Sequence, residues 1–94
     1  MKRNARKAFT ELKKKNAKVF ENGADYGAHF IISAEDNYPV PVADYYNEVL
    51  REYVDETGKI QNAGSIATFV NDILAKNGLY AEWINPGMVG VYDA

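Results

Sequence analysis

Cysteine is absent from this chain of 94 residues, and histidine occurs only once. Without thiols the protein cannot form disulfide bonds, thiolate metal sites or a cysteine nucleophile. Long apolar runs are missing too: no segment reaches the roughly 18 residues of a membrane-spanning helix, and Glu11 and Lys13–Lys15 interrupt any stretch that could serve as a signal peptide. We therefore expect a soluble, cytoplasmic protein.

Sequence motifs of catalytic and nucleotide-binding sites are missing as well. The chain contains neither a G-x-S-x-G nucleophile elbow nor a glycine-rich phosphate loop. We therefore predict a protein that is not an enzyme and that needs no cofactor or metal. One catalytic alternative stays open, because His29, Glu35 and Asp36 offer an imidazole and two carboxylates to a small hydrolase or a metal-dependent enzyme. A structural histidine on a sheet surface is the simpler interpretation.

The residues that are present suffice for one folded domain. Hydrophobic residues make up 47% of the chain, which is enough for an apolar core, and a charged fraction of 26% argues against intrinsic disorder. We predict a single α+β domain over residues 1–94.

Three segments have the spacing of amphipathic helices. In the first, at about residues 4–16, the apolar positions recur at i, i+3, i+4 and i+7; they are Ala5, Ala8, Phe9 and Leu12. The second, at about residues 42–56, has the strongest periodicity; its apolar residues are Val42, Tyr45, Tyr46, Val49, Leu50, Tyr53 and Val54. The third begins near residue 63 or 65 and ends at Lys76, before Gly78.

Two pairs of short apolar segments predict β-hairpins. Residues 17–21 and 28–33 flank a glycine-containing turn, and residues 79–84 and 88–92 flank Asn85-Pro86-Gly87. The predicted order is α-β-β-α-α-β-β, a two-layer domain in which the helices pack on an antiparallel sheet built from the two hairpins. Two hairpins leave edge strands, and Met88–Tyr92 is a candidate for pairing two copies into a homodimer.

Charge is divided unevenly along the chain. Residues 1–18 hold eight of the eleven basic residues and one acid, a net charge of +7, whereas the remainder carries −9. The basic residues of the first helix lie opposite its apolar stripe. The predicted contacts are Arg3, Arg6, Lys7, Lys13 and Lys14.

This basic face suggests the first functional hypothesis, a small binding protein that contacts nucleic acid or an acidic partner. No aromatic residues alternate with the lysines, which disfavours stacking on single-stranded bases. A solvated face without a partner is the alternative interpretation.

A second hypothesis rests on acidic residues of the predicted helix at 42–56. Asp44, Glu48, Glu52 and Asp55 share one side at i, i+4, i+8 and i+11. With a nearby aromatic such as Trp83, this side could bind a basic protein that handles nucleic acid, as suits the small accessory or inhibitor proteins of viruses and mobile elements. An ordinary exposed face is again the alternative.

Overall fold

The computed structural model describes residues 1–35, 41–46, 53–54, 60–61 and 66–94. The elements in chain order are helix α1 (Arg3–Lys14), strand β1 (Val19–Phe20), the 3₁₀ helix η1 (Asn22–Tyr26), β2 (Phe30–Ser33), β3 (Tyr53–Val54), β4 (Ile60–Gln61), α2 (Thr68–Lys76), β5 (Leu79–Asn85) and β6 (Met88–Asp93). None of the helices within these ranges is long and apolar enough to cross a membrane.

Four strands form one antiparallel sheet in the order β1-β2-β6-β5. The two predicted hairpins are the pairs β1–β2 and β5–β6, and they join through β2 and β6. In that central pairing Phe30 lies opposite Val91 and Ile32 lies opposite Val89. β3 and β4 form a separate two-stranded sheet.

Both helices pack on one face of the four-stranded sheet. The four apolar residues that predict α1 are all buried, and the Phe9 ring meets the Phe30 ring edge-on at 5.3 Å. α2 contributes Val70, Ile73 and Leu74 to the same core, which also contains the inward-facing residues of the strands. The two-layer α+β fold is therefore confirmed, and the basic helix predicted at about 4–16 is present as Arg3–Lys14.

The segment predicted as the second helix differs from the prediction where the structure describes it. Ala43 forms an antiparallel bridge with Ile66, and the carbonyl of Val42 accepts a hydrogen bond from the Ala67 N–H at 2.9 Å. These long-range bonds use backbone groups that a helix would pair locally. The helix prediction is wrong for residues 42–46 and for the strand at 53–54, whereas residues 47–52 and 55–56 lie outside the described residues.

The same bridge delays the start of α2. Ile66 is held in the bridge and Ala67 is extended, so the helix begins at Thr68 and not at residue 63 or 65. Its end at Lys76 agrees with the prediction, and Gly78 follows with φ of +72°. The overall order of elements matches the prediction roughly.

The predicted edge strand lies in the interior of the sheet. Met88–Tyr92 belongs to β6, which is paired with β2 on one side and with β5 on the other. Pairing of two copies through β6 is therefore excluded, because its backbone groups already bond within the sheet. The outer strands of this sheet are β1 and β5.

Candidate nucleic-acid interface

The outer side of α1 faces solvent, because the apolar stripe of the helix lies against the sheet. A shallow depression runs along this side and is lined by Arg3, Arg6, Lys7, Thr10, Glu11 and Lys14. At 1.5 Å per residue, the surface extends about 16 Å from Arg3 to Lys14. All six side chains are polar and come from one helix, so a ligand could be contacted without help from a loop.

Salt bridges neutralise one charged residue at each flank of this surface, a cation on one side and an acid on the other. On one flank the guanidinium of Arg6 pairs with Glu21 and lies 5.3 Å from the centroid of the Phe9 ring. On the other flank the ammonium of Lys76 is 2.5 Å from Glu11, which is the only acid of α1. Arg6, although predicted as a contact, is therefore partly engaged within the protein.

The centre of the surface keeps its positive charge. Arg3, Lys7 and Lys14 are exposed and form no ion pair within the described part of the chain. At 3.6 residues per turn they fall within about 40° of one another around the helix axis. We call these three residues the basic ridge. Lys13, which was also predicted, is exposed but points about 100° away from Lys14.

No protein-family model, curated protein or solved structure matches the chain. Functional inference for this protein therefore depends on the chemistry of its own surfaces.

The single histidine takes part in a structural contact that sequence reasoning missed. His29 Nε2 is 2.9 Å from Asp93 Oδ1, and Lys2 Nζ donates a hydrogen bond of 2.8 Å to Asp93 Oδ2. The bond from Lys2, and then the bond from His29, hold the pKa of the Asp93 carboxyl below its ordinary value of 3.8. The cluster joins the start of α1 to the end of β6. Because Asp93 is 64 and 91 residues from its partners, no local pattern indicates the contact.

The predicted acid–base site is not assembled in the described residues. His29 precedes β2, whereas Glu35 follows it, which places them about 20 Å apart along the strand. Glu35 lies against Gly87 at the far end of the sheet: its Oε1 atom is 2.9 Å from the position of a Cβ on that glycine. Asp36 lies outside the described residues, among which no group of three potential metal ligands occurs. The extended backbone separates His29 from Glu35, so their predicted convergence is wrong.

The predicted acidic face is likewise changed at its first member. Asp44 is 8% exposed and lies in the non-helical segment 41–46, so it does not belong to an exposed helical row. Glu48, Glu52 and Asp55 lie outside the described residues. Asp44 is therefore not part of the acidic helical face that the sequence predicts.

Trp83 does belong to an aromatic group. Its ring meets the ring of Tyr45 edge-on at 5.3 Å, and Tyr45 in turn contacts Tyr46 at 5.2 Å. Tyr46 is 69% exposed, whereas Trp83 packs partly against the core. We call Tyr45, Tyr46 and Trp83 the Trp83 cluster. The helical pattern places both tyrosines in the core, and they are exposed because residues 41–46 are not helical.

Proposed function

We propose that the protein binds double-stranded nucleic acid through the basic ridge of α1, with little dependence on base sequence. The observation that carries the proposal is that Arg3, Lys7 and Lys14 stand in one exposed row without ion pairs in the described structure, while the only acid of the helix is neutralised by Lys76. Duplex nucleic acid carries one negative charge per 1.7 Å or so of its axis, so a surface about 16 Å long meets several phosphates at once.

The chemistry of the helix favours phosphates over bases. The only aromatic residue of α1 is Phe9, which is buried against Phe30, so the exposed side of the helix offers no ring on which a base could stack. Thr10 lies between the cations and adds a hydroxyl group that can donate to a phosphate oxygen. Contacts of this kind position a protein on the backbone and read no sequence.

The location of Arg3 adds support. Arg3 is in the first turn of α1, which contains no acid, and a cation there opposes the helix dipole at a cost of about 0.3–1 kcal/mol. Lys14 is in the last turn, where the same dipole stabilises a cation. A stabilising role explains Lys14 by itself, but it does not explain Arg3. Arg3 therefore supports a binding role more strongly than Lys14 does.

The charge of the rest of the chain supports an oriented encounter. Residues 19–94 carry a net charge of −9, which repels a polyanion, whereas residues 1–18 carry +7. An approaching duplex is therefore steered towards α1 and away from the other surfaces.

The salt dependence of binding tests the proposal. With three phosphate contacts, log K should fall with log salt at a slope of about −2.7, or about 40-fold in affinity from 50 to 200 mM salt. Fluorescence anisotropy with short labelled duplexes of unrelated sequence measures this slope, and affinity should vary little between the duplexes.

A pair of matched variants separates local contact from overall charge. Lys7→Gln and Arg6→Gln change the net charge equally, but only Lys7 belongs to the basic ridge. Lys7→Gln should flatten the slope by about 0.9, whereas Arg6→Gln should change it much less because Glu21 already engages that side chain. Absence of duplex binding at low salt would refute the proposal. The proposal would be refuted in the same way if the protein bound an acidic protein and no duplex. Equal effects of the two variants would also refute the assignment to the ridge.

A further inference from the structure

The outer edge of β5 carries unpaired backbone groups. Ala94 N–H donates to the Gly78 carbonyl at 3.0 Å, which identifies the hydrogen-bonded positions of the β5–β6 ladder. Because such positions alternate in an antiparallel pair, Tyr80 and Glu82 bond to β6. The N–H and C=O groups of Leu79, Ala81 and Trp83 therefore point away from β6. These three donors and three acceptors form no hydrogen bond within the described part of the chain.

This edge has little of the usual protection against strand pairing. Natural edge strands are kept short or carry charged side chains, especially lysine, proline or bulges. β5 is seven residues long, contains no lysine or proline, and has Glu82 as its one charged residue and a single irregularity near its end, between Trp83 and Asn85. The opposite edge strand, β1, has two residues. Within the described residues, a long strand is therefore open on one side of the sheet only.

Exposed aromatic residues flank the edge on both faces of the sheet. Tyr80 is 44% exposed on the face opposite the helices, where it contacts Tyr92 at 5.7 Å. The Trp83 cluster lies on the helix side, because Trp83 packs against the core and Tyr45 packs on Trp83. Aromatic side chains that are exposed in one copy of a protein are enriched among those that become buried in its interfaces.

We propose that two copies of this protein pair through β5 about a two-fold axis, in antiparallel register centred on Ala81. In this register Ala81 pairs with its own symmetry mate, and Leu79 pairs with Trp83 of the second copy. All the outward groups are then satisfied by six hydrogen bonds, and the two sheets become one sheet of eight strands. This pairing uses no residue of the basic ridge.

Side-chain chemistry selects this register over its neighbours. Centred on Ala81, the pairing places the Tyr80 hydroxyl beside the Glu82 carboxylate of the second copy, a donor with an acceptor. Centred on Glu82, it would place two carboxylates directly opposite each other, with Cα atoms about 4.5 Å apart, and like charges in that position repel. Centred on Tyr80, it would require Asn77, which caps α2 and is not part of a strand.

Sedimentation equilibrium over a range of protein concentrations tests the proposal. We expect a reversible dimer with twice the monomer mass of 10.5 kDa. Ala81→Pro removes an N–H that the internal ladder does not use, so it should yield a monomer. Ala81→Ser retains that N–H and should leave the dimer intact.

A charge exchange at exposed positions tests the register without altering the core. Tyr80→Glu places two carboxylates opposite each other at two symmetric sites and should weaken the dimer by about 2- to 30-fold. Adding Glu82→Lys to the same chain creates opposite charges there and should restore pairing. A protein that is monomeric at every concentration would overturn the proposal. So would a dimer whose dissociation constant is unchanged by Tyr80→Glu, because it would use another surface.

Discussion

Among the glycines that the structure describes, Gly23 is expected to tolerate a side chain least, although its place after Asn22 in the sequence resembles an ordinary turn. A Cβ added at Gly23 would lie 2.7 Å from the Ala28 oxygen and 2.7 Å from the Phe30 nitrogen. Both are backbone atoms and cannot rotate away. Phe30 is fully buried and is paired with Val91 at the centre of the sheet, so Gly23→Ala must displace either η1 or the start of β2.

The expected cost of Gly23→Ala follows from the rigidity of these neighbours. Overpacking a core costs about 1–3 kcal/mol, and we expect the upper end, about 3 kcal/mol, because the clashing atoms belong to the backbone. In a domain of this size each kcal/mol lowers Tm by about 4–8 °C, so Tm should fall by about 12–24 °C.

Gly27 provides the matched comparison. It has φ of +69°, and a Cβ there would meet no atom within 4 Å. Alanine at Gly27 should therefore cost only the left-handed backbone penalty of about 1–2 kcal/mol. Asparagine tolerates that conformation and should recover part of the loss at Gly27, whereas Gly23→Asn should be at least as harmful as Gly23→Ala.

Thermal unfolding followed by circular dichroism, with urea unfolding as a second measure, compares the four variants. If Gly23→Ala melts within a few degrees of the wild-type protein, or if Gly27→Ala is the more damaging change, the close approach of η1 to β2 is not the reason for glycine at position 23.

Two further predictions concern the attachment of α1. Leu12→Ala removes a fully buried side chain and should lower the free energy of unfolding by about 2–5 kcal/mol, whereas the exposed neighbour variant Lys13→Ala should stay within about 0.5 kcal/mol of wild type, both measured by urea unfolding. Asp93→Asn should lower Tm at neutral pH. Because the folded-state pKa of Asp93 is depressed, its stabilising effect is present above about pH 4 and is lost as the pH falls through the folded value, so the two melting curves should converge in acid. A Tm difference that stays constant down to pH 2 would contradict this linkage.

The elements that the sequence predicts well are those that local patterns specify. α1 has an apolar stripe whose four residues are all buried, and the β5–β6 hairpin has a Pro-Gly turn between two apolar segments. The prediction at 42–46 was wrong because helical spacing there competes with a bridge from Ala43 to Ile66, a contact between distant positions. Periodicity measures only what neighbouring residues can do together, so it cannot detect such a competitor.

The candidate interface, too, is predicted only in part by local patterns. Helical spacing alone places the basic residues of α1 on its outer side, as the structure has them. It does not distinguish Lys7 from Arg6, since Arg6 is engaged by Glu21, 15 positions away, and Glu11 is neutralised by Lys76 from the second helix. Local patterns do not predict the strand order either. The pairing of β2 with β6 makes β5 an edge strand and places Met88–Tyr92 in the interior of the sheet.

The sequence by itself therefore determined the two-layer α+β class and the presence of a basic helical face, because both follow from the spacing of side chains along a regular backbone. Only the tertiary structure decided which cations remain unpaired, where His29 and Asp93 meet, and which strand is left open. Those outcomes depend on groups far apart in the chain, which come together only when the two hairpins share one sheet.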